Sequence, residues 1–209
     1  MGLDKGKIIT IVQLGFSLLA FILSIVALAG GVADYVDGLL ALKSAGWMSM
    51  EYDAIEFGRV DSDLYWGWSH YCIKFRGQSQ DVYAPWCNEN RWDKKDAATA
   101  MGALSFLFAL ANLVLVAVKL FKPNKMLSII GCGVCFLGMI FTLACFGIFA
   151  GDDTSDAFRG RAPALVADAS YGPGFGSSVT CFVFLLIALV LGVISLLPGM
   201  ATTEVTGGQ

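Results

Sequence analysis

Residues 97–118 read AATAMGALSFLFALANLVLVAV, 22 positions without an aspartate, glutamate, lysine, arginine or histidine. At about 1.5 Å of rise per residue such a helix reaches about 33 Å, enough to cross the roughly 30 Å hydrocarbon core of a bilayer. Three more stretches share the property: Ile8–Ala33, Met126–Ala150 and Tyr171–Thr203. Each exceeds the roughly 18 apolar residues that mark a spanning helix. Lipid offers exposed peptide groups no partner, so an open sheet is excluded and each span must be helical. The sequence therefore predicts an all-α membrane protein, a four-helix bundle with spans near 8–33, 97–118, 126–150 and 176–197.

Composition agrees. Of 209 residues, 56% are hydrophobic and only 15% charged, where a soluble domain carries about one quarter charged residues. The first span follows Lys5 and Lys7, as the core of a signal peptide would. Its apolar run is much longer than a typical leader core, so it is read as a retained helix, and the start lacks the arginine- and serine-rich look of an organelle transit peptide.

Charge between the spans orients them. Lys119–Lys125, KLFKPNK, holds three lysines and no acid, and the N-terminus adds Lys5 and Lys7; these segments are expected to face the cytoplasm. The connection 151–175 sets Arg159 and Arg161 against Asp152, Asp153, Asp156 and Asp168 and is read as outer. Residues 34–96, with 11 acids and 7 bases, form the large outer loop, and residues 198–209 a short polar cytoplasmic tail. The acids of the first loop, among them Asp34, Asp37, Glu51, Asp53, Glu56, Asp61 and Asp63, read as a solvated face, with attraction of cations or basic partners the alternative.

The six cysteines divide. Cys132, Cys135, Cys145 and Cys181 lie in spans, whereas Cys72 and Cys87 are the two in the outer loops. On an oxidising face this pair is expected to form a disulfide, worth about 3 kcal/mol for a loop of about 15 residues; two free thiols is the other reading. Cys132 and Cys135 make a C-x-x-C beside Gly131 and Gly133, which reads as close helix packing before redox or metal chemistry. Aromatics crowd the proposed bridge: Trp66 and Trp68 precede Cys72, while Trp86 and Trp92 flank Cys87. Their apolar rings and polar nitrogens suit a place against the bridge, at lipid headgroups or against a partner. A small, disulfide-linked, strand-containing extracellular cap is expected.

A tryptophan (Trp47 or Trp66), then Gly67 and Trp68, then Cys72 and Cys87 in the first outer loop of a four-helix chain resembles the claudin and peripheral-myelin-protein superfamily, with longer spacers here than that family usually has. The opening of the fourth span, Tyr171-Gly172-Pro173-Gly174-Phe175-Gly176, looks more like the related amastins and fungal eisosome tetraspans. The resemblance covers topology along the whole chain and implies a non-enzymatic membrane protein that binds others through its outer loops and helix faces. The tail ends Thr-Gly-Gly-Gln and lacks the hydrophobic scaffold ligand of tight-junction claudins. Tetraspanins and connexins fit worse, because both place cysteines in the second outer loop.

No span carries the carboxylate or histidine that ion transport at the membrane midplane requires. Asn112 and Gln13 are the most polar span residues and are expected to hydrogen-bond between helices. The single histidine, His70, supplies no histidine-based metal site, and its nearness to Cys72 reads as incidental to a disulfide loop. Catalytic residues, cofactors and metals are expected to be none. The expected partners are membrane lipids and other membrane proteins or copies of the chain, with no nucleic acid. The expected site is the disulfide Cys72 and Cys87 with the cap residues Trp66, Gly67, Trp68, Trp86 and Trp92. The plasma membrane is the expected location, with an organelle membrane as part of a larger complex the alternative. The alternative functions are an accessory structural subunit of a large membrane complex, such as an energy-converting complex, a channel or a receptor, and an oligomeric, paracellular-type pore.

Overall fold

The computed structural model describes residues 5–32, 48–52, 61–66, 70–76, 86–89, 95–151 and 168–197, with side chains for 5–29, 96–150 and 171–197. Among the described residues, four helices are long and apolar enough to cross a membrane: α1 (Lys5–Val32), α2 (Lys95–Phe121), α3 (Lys125–Gly151) and α4 (Pro173–Ile194). The expected spans coincide with them to within a few residues. α4 begins earlier than 176, because Pro173 takes the first helical position, where its missing N–H costs nothing. α1 packs on α2 and α4, and α3 packs on the same two helices, so the four close into a ring.

Pro123 stops α2, because the residue before a proline is pushed out of the helical region. Lys122 N–H still reaches Val118 O at 2.8 Å, and Asn124 Oδ1 then caps α3 by accepting the Met126 N–H at 2.8 Å. This tight connection defines the turn end of the bundle.

The opposite end carries a five-stranded antiparallel sheet in the order β4-β3-β2-β1-β5, built from β1 (Met48–Tyr52), β2 (Asp61–Trp66), β3 (His70–Arg76), β4 (Trp86–Glu89) and β5 (Asp168–Tyr171). The first four strands lie between α1 and α2. The fifth comes from the second connection and leads straight into α4, so pairing β5 with β1 ties the two connections together.

Buried positions in the helices repeat with a strict three-four alternation. In α1 they are Gly6, Thr10, Gln13, Ser17, Ala20, Ser24 and Ala27; in α2 Ala98, Gly102, Ser105, Ala109, Asn112, Val116 and Lys119. In α3 they are Ser128, Gly131, Cys135, Gly138, Thr142, Cys145 and Phe149; in α4 Gly174, Ser178, Cys181, Leu185, Ala188 and Gly192, with Ser195 continuing the series just past its end. A period of 3.5 keeps one seam of each helix facing its neighbours in a left-handed bundle. Val116, Leu185 and Phe149 are the large apolar residues of this seam. The bulky side chains Leu19, Ile22, Leu107, Val114, Leu143 and Val190 instead lie outside, each more than 40% exposed. An apolar exterior around a small and polar interior is the arrangement lipid favours, because lipid tails solvate leucine and packing rewards close backbones.

Gly138 and Gly192 mark the closest approaches. A Cβ at Gly138 lies 3.2 Å from Phe108 Cβ, and one at Gly192 lies 2.9 Å from Cys132 Sγ and 3.0 Å from Gln13 Nε2. Gly131 and Gly133 do not serve as expected: a Cβ on either meets nothing within 4 Å. Ala20 and Ser24 are consumed by internal packing, while Gly147 faces open space.

Candidate functional site

Among the described residues, two regions concentrate polar chemistry: the seam of the bundle and the sheet. In the seam, small hydroxyls first bond back to their own helix: Thr10 to Gly6 O, Ser17 to Gln13 O, Thr142 to Gly138 O and Ser195 to Gly192 O. A group satisfied this way is tolerable in an apolar span. Further bonds then cross between helices. Gln13 Nε2 donates to Ala188 O at 3.1 Å, Asn112 Nδ2 to Ser17 Oγ at 2.9 Å and Lys119 Nζ to Ser195 Oγ at 2.7 Å. Ser105 donates to Thr142 Oγ1 at 2.6 Å, since the single hydroxyl proton of Thr142 is given to Gly138 O. Interhelical bonds of this kind contribute about 0.6 kcal/mol each on average.

These contacts fix the register of the seam in layers. From the turn end, Thr10, Lys119, Ser128 and Ser195 are followed by Gln13, Val116, Gly131 and Gly192, then by Ser17, Asn112, Cys135 and Ala188. Ala20, Ala109, Gly138 and Leu185 make an apolar middle layer, with Leu185 fully buried. Towards the sheet end, Ser24, Gly102, Ser105, Thr142, Cys145, Ser178 and Cys181 surround a recess of about 10 Å³, the size that admits one water molecule.

The cysteines of the seam act as small core residues. Cys135 Sγ–H points to Leu185 O at 3.2 Å and Cys181 Sγ–H to Ala20 O at 3.2 Å, each across to another helix. The C-x-x-C therefore splits, with Cys135 buried in the seam and Cys132 partly exposed beside Gly192.

In the sheet, antiparallel register places Cys72 opposite Cys87, Tyr65 opposite Cys72 and Ser49 opposite Tyr65. Paired residues share a face and neighbours alternate. One face thus collects Cys72, Cys87, Asp63, Lys74, Glu51, Glu89 and Asp168; the other collects Trp66, Trp86, Tyr71, Ile73, Leu64, Met48 and Met50. Tyr171 belongs to the apolar face and stacks on Phe175 of α4 with ring centroids 4.1 Å apart. Gly67, Trp68 and Trp92 lie outside the described residues.

Sequence reading missed the layered seam and the role of Lys119, which it assigned to the connecting turn. Lys119 lies inside α2, 9% exposed, and points into the bundle. The available signal was the three-four spacing of small and polar residues, which a search for apolar runs passes over. A scan of protein-family models finds no match to this chain, and a search of curated proteins finds none either.

Proposed function

We propose that this chain is a claudin-like, non-enzymatic membrane protein that works by lateral association with other membrane proteins or with copies of itself. The observation that carries the reading is the register placing Trp66 and Trp86 on one apolar face of the sheet, together with Tyr71 and Ile73. Aromatic clusters of this kind anchor interfaces. Gly133 and Gly147 support it, because a Cβ on either meets no neighbour, leaving the lipid-facing side of α3 notched for another helix. In this reading the turn end and both termini are cytoplasmic, the sheet is an extracellular cap at the plasma membrane, and Cys72 and Cys87 are joined.

The test is recovery of the oligomer or of a bound protein in mild detergent. Trp66→Ala or Trp86→Ala should weaken it by about 2 kcal/mol or more while the bundle stays folded. A single species captured in fixed proportion would make the chain a subunit of a larger complex; self-association would make it a homo-oligomer. A wild-type protein that remains a bare monomer and captures nothing ends the association reading.

A further inference from the structure

Gln13 Oε1 and Asn112 Oδ1 are buried side-chain atoms of the seam with no hydrogen-bond partner. Their identity as oxygens follows from the neighbours. Gln13 faces Ala188 O, which can only accept, so the nitrogen must point there. Ser17 has already given its proton to Gln13 O, so Asn112 must present a donor to it. Both orphans are therefore acceptors, in adjacent layers of a core where Gln13 is 3% and Asn112 0% exposed.

Two further features lie beside them. Gly131, buried and in the same layer as Gln13, has open space where a Cβ would stand. Lys119, one layer nearer the turn end, uses one of its three ammonium protons on Ser195. Unused acceptors, unused donors and open space thus fall in successive layers of the same half of the seam. An anion is unsuited to the two carbonyl oxygens, and a cation to the ammonium. A small neutral molecule that both donates and accepts fits all of them.

We propose that the turn half of the seam is a water-binding site, in which water beside Gly131 donates to Gln13 Oε1 and Asn112 Oδ1 and accepts from Lys119. Water at this place also solvates the ammonium inside the span, where an isolated charge is costly. The apolar layer of Ala20, Ala109, Gly138 and Leu185 separates the site from the sheet end. The inference is independent of the association reading.

Radiolytic labelling of the full chain in lipid nanodiscs, using isotope-labelled water, tests it. Val116 and Cys135, 2% and 1% exposed, should take up the labelled oxygen. Gly131→Val should remove most of that label in protein that remains folded. An unlabelled wild-type core, or a label indifferent to Gly131→Val, overturns the proposal. Where Gly131→Val does not fold, the sign of Gly131→Ala decides. Alanine displaces water and lowers the melting temperature when residue 13 is glutamine, yet raises it in a Gln13→Leu background. A rise in both backgrounds means an empty space and overturns the proposal.

Discussion

Lys119 of α2 reaches across the bundle to Ser195, just beyond the end of α4, with Nζ 2.7 Å from Oγ. α2 and α4 are not neighbours in the ring of helices, so this bond clasps a diagonal at the turn end. Ser195 can accept because its own proton goes to Gly192 O at 2.6 Å. Ser195→Ala leaves the buried ammonium without this acceptor and should cost about 1–3 kcal/mol. Lys119→Met removes the charge and keeps the bulk, so it should hold or raise stability. The double variant should recover most of the loss caused by Ser195→Ala. Thermal denaturation of the four proteins in one detergent checks this, and additive single effects would refute the clasp.

Glycines of α3 should divide by what surrounds them. A methyl at Gly138 meets Phe108 Cβ at 3.2 Å with the Phe108 backbone at 3.8 Å, and neither can swing aside. Gly138→Ala should therefore destabilise by about 1–3 kcal/mol. Gly147 has nothing within 4 Å, so Gly147→Ala should be neutral or stabilise by up to about 1 kcal/mol through helix propensity. Melting temperatures of the two variants would reveal the contrast. Equal effects would mean that the bundle is packed otherwise.

The spans were legible because lipid imposes a one-dimensional rule: an uncharged run of sufficient length must be a helix. Ile8–Ala33 as read and Lys5–Val32 as found differ only where the ends leave the apolar core. The seam was harder, since a span is apolar on every side and the informative residues are those that are small. Thr10, Gln13, Ser17 and Ser24 mark one face of α1 by their three-four spacing, but their partners depend on the register between helices. Asn112 meets Ser17 across 95 positions of sequence, and no local pattern announces that. Lys119 was misplaced for a different reason. Its positive charge reads as the edge of a span, although α2 runs on to Phe121 with the ammonium folded inward.

Orientation gives a third prediction. Lys5, Lys7, Lys119, Lys122 and Lys125 cluster at the turn end by sequence, against Asp4 as the one acid of the N-terminus and the 119–125 connection. Four spans place both termini and Lys122 on that side, expected to be cytoplasmic. Tags at the two ends should be accessible only from the cytoplasm, and a cysteine at position 122 should react with an impermeant reagent from the same side. Ends on opposite sides would mean that one of the four helices does not cross.

Cys72 and Cys87 stand directly opposite each other in the antiparallel pair β3 and β4. Opposed residues in such a pair have Cα atoms about 4.5–5.5 Å apart, inside the roughly 4.4–6.8 Å span of disulfides. The bridge would then fasten β4, an edge strand of four residues, to the strand beside it. An edge strand this short has little else to hold it, so the bond should matter more to the sheet than to the bundle. Peptide mapping without reductant should recover the linked peptides. Cys72→Ser with Cys87→Ser should loosen hydrogen-exchange protection in β3 and β4 while the helices keep theirs. Both thiols freely alkylated in the folded protein would refute the bridge and point to a sheet held in a reducing compartment, which would also reverse the orientation assigned to the turn end.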